Sequence, residues 1–292
     1  MKLNHALLLL LLAFIWGASF LFMRVSVPSL GPAVLILGRV GSAALTLWIV
    51  AMLLKRKMPP VARWRHFLVI GLFNAALPFM LYAFAAQTVT ASLLSILNAT
   101  APLWGTVITA VWFKQKVSAK VLVGLFVGLL GVAILVGFDP VMVDKHAYIA
   151  AAAAVCAAMS YGIGATYAQT APKLSPEQNA HGCLWAASLW VLPLTWFMPI
   201  NTPPSGLVVL NVLLLGIVCT AVAYLILFHL ITEIGASSTL TVTFLIPVFG
   251  VLWGNVFLDE PIGFHTVIGA IVTLIGTALV TGFRLPLSKK QA

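Results

Sequence analysis

Apolar residues run through this chain in long stretches broken by short polar joints. Residues 67–113, 178–232, 234–258 and 261–283 contain no Lys, Arg, Asp or Glu. A helix rises about 1.5 Å per residue and needs roughly 20 residues to cross the hydrocarbon core of a bilayer. The two longest stretches therefore each hold a pair of helices, divided at Gln87-Thr88-Val89-Thr90 and at Asn201-Thr202-Pro203-Pro204-Ser205-Gly206. The pattern predicts ten helical spans, near 5–27, 32–54, 65–86, 91–113, 118–138, 146–170, 178–199, 207–231, 236–258 and 262–283. Barrel strands would show short alternating segments instead, so the expected class is an all-α membrane protein.

The spans repeat. Moved back by 145 residues, the second half lies on the first without a gap: Gly71, Pro102, Gly105, Gly124, Gly131, Gly137 and Phe138 fall on Gly216, Pro247, Gly250, Gly269, Gly276, Gly282 and Phe283. Ala91-Ser92 likewise falls on Ala236-Ser237, and Trp16-Gly17 on Tyr161-Gly162. The chain divides into a first five-helix repeat at 1–138, a connecting loop at 139–144, a second five-helix repeat at 145–283 and a basic tail at 284–292. Five crossings is an odd number, so the two copies are expected to point in opposite directions, the construction of alternating-access carriers.

Composition agrees with the pattern. A chain of 292 residues that is 62% hydrophobic and 8% charged, with mean hydropathy +1.11, has too little polar surface for a soluble domain. Its net charge of +10 raises the question of nucleic acid, but the placement of the charges argues for a lipid bilayer and no nucleic-acid partner. With the N-terminus inside, Lys2, Lys55, Arg56, Lys57, Arg63, Arg65, Lys114, Lys116, Lys120, Lys173, Arg284, Lys289 and Lys290 gather on the cytoplasmic side, whereas the outer loops carry Lys145. This asymmetry predicts a multi-pass protein of the cell inner membrane with both termini cytoplasmic. Cys156, Cys183 and Cys219 lie inside spans without metal-ligand spacing and read as small packing residues. No phosphate-cradling glycine loop, nucleophile elbow or metal-spaced His/Cys cluster is present, so neither an enzyme nor a cofactor is expected.

Phe14-Ile15-Trp16-Gly17-Ala18-Ser19-Phe20, Pro32 to Arg39, Pro102-Leu103-Trp104, Gly124, Gly128 and Gly131, Pro247-Val248-Phe249, Asp259-Glu260-Pro261, Gly269 and Gly276 together resemble the drug/metabolite transporter superfamily in its EamA-type branch. The resemblance covers nearly the whole chain and implies ten helices and carriage of small metabolites. Members of most similar appearance are exporters of amino acids, aromatic ones included. It also implies that the fifth and tenth spans stand away from the transport path. One departure is Gln115, where many members carry the Glu that Glu260 keeps in the second copy; it reads as a lost helix-end interaction.

Substrate in such carriers lies near the bilayer midplane between the copies, so polar and aromatic residues deep in spans are the candidates. Asn74, Pro78 and Tyr82 recur at i, i+4, i+8 on the third span, and Ser95, Asn98 and Pro102 at i, i+3, i+7 on the fourth. Thr220 and Tyr224 answer on the eighth, and Thr239, Thr243 and Pro247 on the ninth. Pro102 and Pro247 withhold an N–H from the carbonyls of Asn98 and Thr243, which are symmetry mates. Trp16, Tyr82, Tyr161 and Tyr224 are aromatics at middle depth, suited to wall an apolar or aromatic side chain. The competing reading of each polar residue is interhelical glue, worth about 0.6 kcal/mol on average, and of each aromatic, ordinary packing. The expected substrate-binding set is Trp16, Asn74, Pro78, Tyr82, Asn98, Tyr161, Tyr224 and Thr243.

Asp139, Asp144, Glu177, Glu233, Asp259 and Glu260 all fall at span ends, which disfavours proton-driven antiport of lipophilic cations. Arg39, about two turns into the second span, is expected to snorkel to the outer interface or to cap a neighbouring helix, with a substrate carboxylate as the alternative. His229 is the candidate for a proton relay, and structural packing is its other reading. The residues point to a carrier exporting small neutral metabolites, amino acids with apolar or aromatic side chains foremost, as monomer or weak homodimer. A proton-coupled multidrug/metabolite antiporter, a membrane-embedded transferase and a channel are the alternatives.

Overall fold

The computed structural model describes residues 3–139, 145–235, 239 and 241–281. Outside the described residues lie Lys2, the loop at 140–144 with Asp144, the Ala236-Ser237 copy of Ala91-Ser92, Gly282, Phe283 and the basic tail. The first element, α1, runs Leu3–Leu53 with non-helical backbone at Gly31 (φ 68°, ψ 166°). Sixteen residues of straight helix would separate Met23 from Arg39 by about 24 Å. Yet Arg39 Nη1 lies 3.7 Å from Met23 Sδ, so the arms fold back on each other at Gly31, where only glycine accepts that φ easily. The corner of this hairpin is stitched to a distant loop: the Asn201 and Thr202 amides donate to Ser29 O at 2.9 and 3.1 Å, and Asn201 Nδ2 donates to Pro28 O at 3.1 Å.

The third span is α2 (Trp64–Gly71), a π-helical segment (Leu72–Ala76) and α3 (Leu77–Ala85). The fourth is two helices, α4 (Ala91–Asn98) and α5 (Ala101–Trp112), and α6 (Ala119–Phe138) closes the first repeat. The second repeat follows as α7 (Lys145–Thr170), α8 (Pro176–Val191), a short α9 (Leu194–Phe197), α10 (Gly206–Leu213), a second π-helical segment (Leu214–Val222), α11 (Ala223–Ile234), α12 (Val242–Leu258) and α13 (Phe264–Thr281). Among the described residues seven helical stretches, Leu3–Leu53 counted once, are long and apolar enough to cross a membrane; Val242–Leu258 is a shorter apolar helix. Their outer faces expose Leu122, Phe126 and Leu129 on α6 and Ile268, Ile271 and Ile275 on α13, as a lipid-facing surface requires.

Glycines set the closest helix approaches, and these come in exchanged pairs. A β-carbon on Gly17 would sit 2.9 Å from Gly250 N, and one on Gly162 would sit 2.8 Å from Gly105 N. At Gly71 it would meet Ala187 N at 3.0 Å, and at Gly216 it would meet Ser42 Cβ at 3.1 Å. On α6 and α13, Gly124 approaches Gly276 O and Gly131 approaches Gly269 O in the same reciprocal way. Each contact recurs with the two repeats interchanged, as at a two-fold interface. The Gly124-Gly128-Gly131 and Gly269-Gly276 faces pack within the bundle, where small residues let backbones meet.

Candidate functional site

Tyr82 is the most deeply placed of the expected site residues, 2% exposed on α3. Its hydroxyl donates to Asn98 Oδ1 at 3.1 Å, which answers the need of a buried phenol for a partner. Its ring meets Phe20 edge-on at 5.6 Å and lies 6.3 Å from Tyr161 of the second repeat. Asn98 ends α4 because Pro102 has no N–H to continue the ladder. The chain tightens instead into three-residue turns, with the Ala99 amide on Ile96 O and both the Thr100 amide and hydroxyl on Leu97 O. The α-helical hydrogen-bond ladder of the fourth span is thus interrupted at 99–100, although both residues keep right-handed helical backbone angles. In the second repeat Pro247 sits inside the continuous α12.

The two π-helical segments occupy equivalent positions, since 72–76 plus the offset of 145 gives 217–221, inside Leu214–Val222. The Leu77 amide reaches back to Leu72 O, and the Ala223 amide to Val218 O. Widened turns of this kind gather at functional sites. The first carries Asn74, packed against Gly164 of α7, and leads into Pro78, which is buried at the start of α3. The second carries Thr220, whose hydroxyl donates to Leu215 O at 2.9 Å and accepts Arg39 Nε–H at 3.1 Å.

Arg39 departs from the expected snorkelling arrangement. It is 5% exposed, points into the bundle and lays its guanidinium on the Phe79 ring, 3.6 Å from the centroid. Tyr161, Cys219 and Tyr224 are within electrostatic range of it. Depth in the span does not reveal side-chain direction; Gly216, against Arg39 O and Ser42, holds this face of α1 to the second π-helical segment.

Of the expected residues, then, Tyr82, Asn98 and Tyr161 meet directly, and Asn74 lies a turn along the same α7 surface against Gly164. Tyr224 lies beside Phe228, the ring centroids 5.9 Å apart and the planes tilted by 51°, and shares the Arg39 neighbourhood. Trp16 is half-buried beside Gly17, on the arm of α1 that meets α12 at Phe249 and Gly250. Thr243 is half-buried near the start of α12, the helix whose Gly250 abuts Ser95 of α4.

Two cavities lie elsewhere, and none of these eight residues lines either. The larger, about 520 Å³, is bordered by Thr106 and Thr109 of α5, Gln115, Lys116, Ala165 of α7 and Thr281. The smaller, about 60 Å³, lies at the opposite end of the fourth span, against Glu260 and His265.

Glu260 is 7% exposed and clamps the start of α4: Oε1 accepts from the Ala91 amide at 2.7 Å, and Oε2 from the Ser92 amide at 3.0 Å and hydroxyl at 2.6 Å. An anion at a helix N-terminus meets unpaired N–H groups and the positive end of the dipole. The place where Gln115 would make the equivalent contact, Ala236-Ser237, lies outside the described residues.

Sequence reasoning missed two polar positions. Arg24, a basic residue inside the first span, donates through Nη1 to Ala86 O at 2.5 Å. His66 bridges Tyr167 (3.2 Å) and Asn179 (2.9 Å) across three helices. An inventory of every basic residue within a span would have flagged Arg24 beside Arg39. His229 is exposed on α11, outside the interior cluster.

The EamA-like transporter family matches the chain twice, over residues 3–137 and 148–282. An uncharacterized transporter of Archaeoglobus fulgidus is 26% identical over 292 residues, covering 94% of this chain and 96% of its own length. The uncharacterized transporter YoaV of Bacillus subtilis is 22% identical with 91% and 93% covered, and a WAT1-related chloroplastic protein of Arabidopsis thaliana is 26% identical with 91% and 67% covered. A solved crystal structure shares the fold at TM-score 0.63 and 17% identity, with 96% of each chain covered.

Proposed function

Because the chain belongs to the EamA-like transporter family, we propose that this membrane transporter is a ten-helix carrier of two inverted five-helix repeats that exports small neutral metabolites by alternating access. Amino acids with apolar or aromatic side chains are its substrates. The observation that carries this reading is the contact between repeats: Tyr82 and Asn98 from the first meet Tyr161 from the second where reciprocal glycine contacts bring the repeats together. A substrate seated between two rocking units must touch both, and here an amide, a phenol pair and Phe20 offer hydrogen bonds beside an aromatic wall. The distribution of Lys and Arg supports an inner-membrane protein with cytoplasmic termini.

With that orientation, Glu260 holds the outer end of α4 closed while the cavity near Gln115 and Lys116 faces the cytoplasm, the arrangement of a carrier ready to load from inside. The interrupted ladder at Ala99–Thr100 and the two π-helical segments are the joints about which the units rock. Transport runs down the substrate gradient in this reading, which is supported by Glu260 being committed to a helix end and by His229, the expected proton-relay candidate, being exposed on α11.

The test is counterflow in proteoliposomes preloaded with unlabelled amino acid, following labelled phenylalanine, threonine and a lipophilic cation, with and without a pH gradient. Saturable amino-acid counterflow that ignores the gradient is expected. Gradient-driven movement of the cation alone would return the assignment to a multidrug antiporter.

A further inference from the structure

A guanidinium in a membrane interior is costly unless an anion meets it. It offers five N–H donors in a planar fork. In Arg39, Nε–H goes to Thr220 Oγ1, Nη1 has only the weak acceptor Met23 Sδ, and the flat face covers Phe79. No carboxylate reaches it among the described residues. Glu260 is engaged by Ala91 and Ser92, Glu233 by His5 at 3.6 Å, and Asp139, Glu177 and Asp259 stand at helix ends.

The surroundings aim the arginine and leave its charge unanswered. Thr220 gives its hydroxyl hydrogen to Leu215 O, five residues back, and so turns a lone pair toward Nε. That reach belongs to the π-helical segment Leu214–Val222. The contacts on Nε, the ring face and Met23 fix the side chain without neutralising it, while Tyr161 and Tyr224 stand within electrostatic range. The equivalent position in the second repeat is Leu184, so this fixed cation occurs once and not as a symmetric pair.

We infer that Arg39 is the carboxylate receptor of the transport site, its fork taking the two oxygens of the substrate while Tyr161 and Tyr224 flank the side chain. The inference rests on the amino-acid exporter reading and narrows it. The transported solute carries a carboxylate, enters in one orientation, and amides, amines or esters of the same shape are poor substrates. A guanidinium fork that meets no countercharge favours a planar bidentate anion over a spherical one.

The experiment is phenylalanine counterflow by the wild-type protein in proteoliposomes, with phenylalaninamide, phenethylamine and 3-phenylpropionate as competitors. 3-Phenylpropionate should compete, and the amide and amine should be at least tenfold weaker than phenylalanine. In Arg39→Gln, residual counterflow should no longer separate acid from amide, and Arg39→Lys should restore part of the preference. Intact phenylalanine counterflow with an equally effective amide overturns the receptor and leaves the exporter reading standing. So does an Arg39→Gln protein that keeps the preference for the acid. Absence of phenylalanine and threonine counterflow alongside movement of the lipophilic cation removes the exporter reading and the receptor together. The wild-type competition needs no variant to fold.

Discussion

The two repeats are alike where helices touch and unlike where chemistry is concentrated. Gly17, Gly71 and Gly124 make the same backbone approaches as Gly162, Gly216 and Gly269, with partners exchanged. Beside them Arg39, Asn74, Tyr82 and Asn98 of the first repeat stand opposite Leu184, Cys219, Leu227 and Thr243 of the second. Packing must be kept in both copies because each glycine contact is half of an exchanged pair. A binding site is not under that constraint, since one substrate of low symmetry needs one set of polar groups. The duplication thus supplies a two-fold scaffold, and the first repeat carries most of the polar chemistry placed on it.

The comparison breaks most severely at the scaffold. In Gly162→Leu, even the first atom of the new side chain would lie 2.8 Å from Gly105 N, and overpacking a fitted contact costs about 1–3 kcal/mol or more. This variant is expected to lose most of its monodisperse yield in detergent, whereas Gly41→Ala, with nothing within 4 Å, should purify as wild type. Next in size is the site itself. Asn98→Ala removes the acceptor of the Tyr82 hydroxyl and the amide half-buried beside it. Counterflow should fall at least tenfold, and the melting temperature should fall as well, because the buried Tyr82 hydroxyl loses its partner at a cost of about 1–3 kcal/mol. The smallest effect is expected at Glu260→Gln, which keeps the shape but turns one of the two accepting oxygens into an NH2 donor, so that one side of the clamp on the start of α4 is lost with the charge. Loss of a helix-terminal charge is worth about 0.3–1 kcal/mol. Thiol labelling of Leu93→Cys, at a position that lines the small cavity beside Glu260, should rise a few-fold in that background; unchanged labelling would mean that the clamp does not hold this end of α4.

The glycine offsets made the duplication readable, because close helix approach has a residue signature and an offset of 145 preserved it. The long apolar runs placed the helices for a similar reason. The widened turns at Leu72–Ala76 and Leu214–Val222 were not readable, since Pro78 follows the first and Ala223 stands in its place after the second. Pro102 marked a freed carbonyl at Asn98, but the proline alone could not distinguish a kink from the interrupted ladder at 99–100. Tyr82, Asn98 and Tyr161 were expected together from depth and face, and the structure joins them. Arg39 was expected at the interface because hydropathy prices a lone cation inside a span too highly; Phe79, Thr220 and Met23, which receive it, come from three separate segments.

The asymmetry of the repeats is the central claim, and phenylalanine counterflow by Tyr82→Ala beside Leu227→Ala, its counterpart in the second repeat, tests it most directly. Tyr82→Ala should lose counterflow at least tenfold, and Leu227→Ala should stay within about threefold of wild type at equal incorporation. Equal losses in the two variants would contradict it and place the transport chemistry evenly across both repeats.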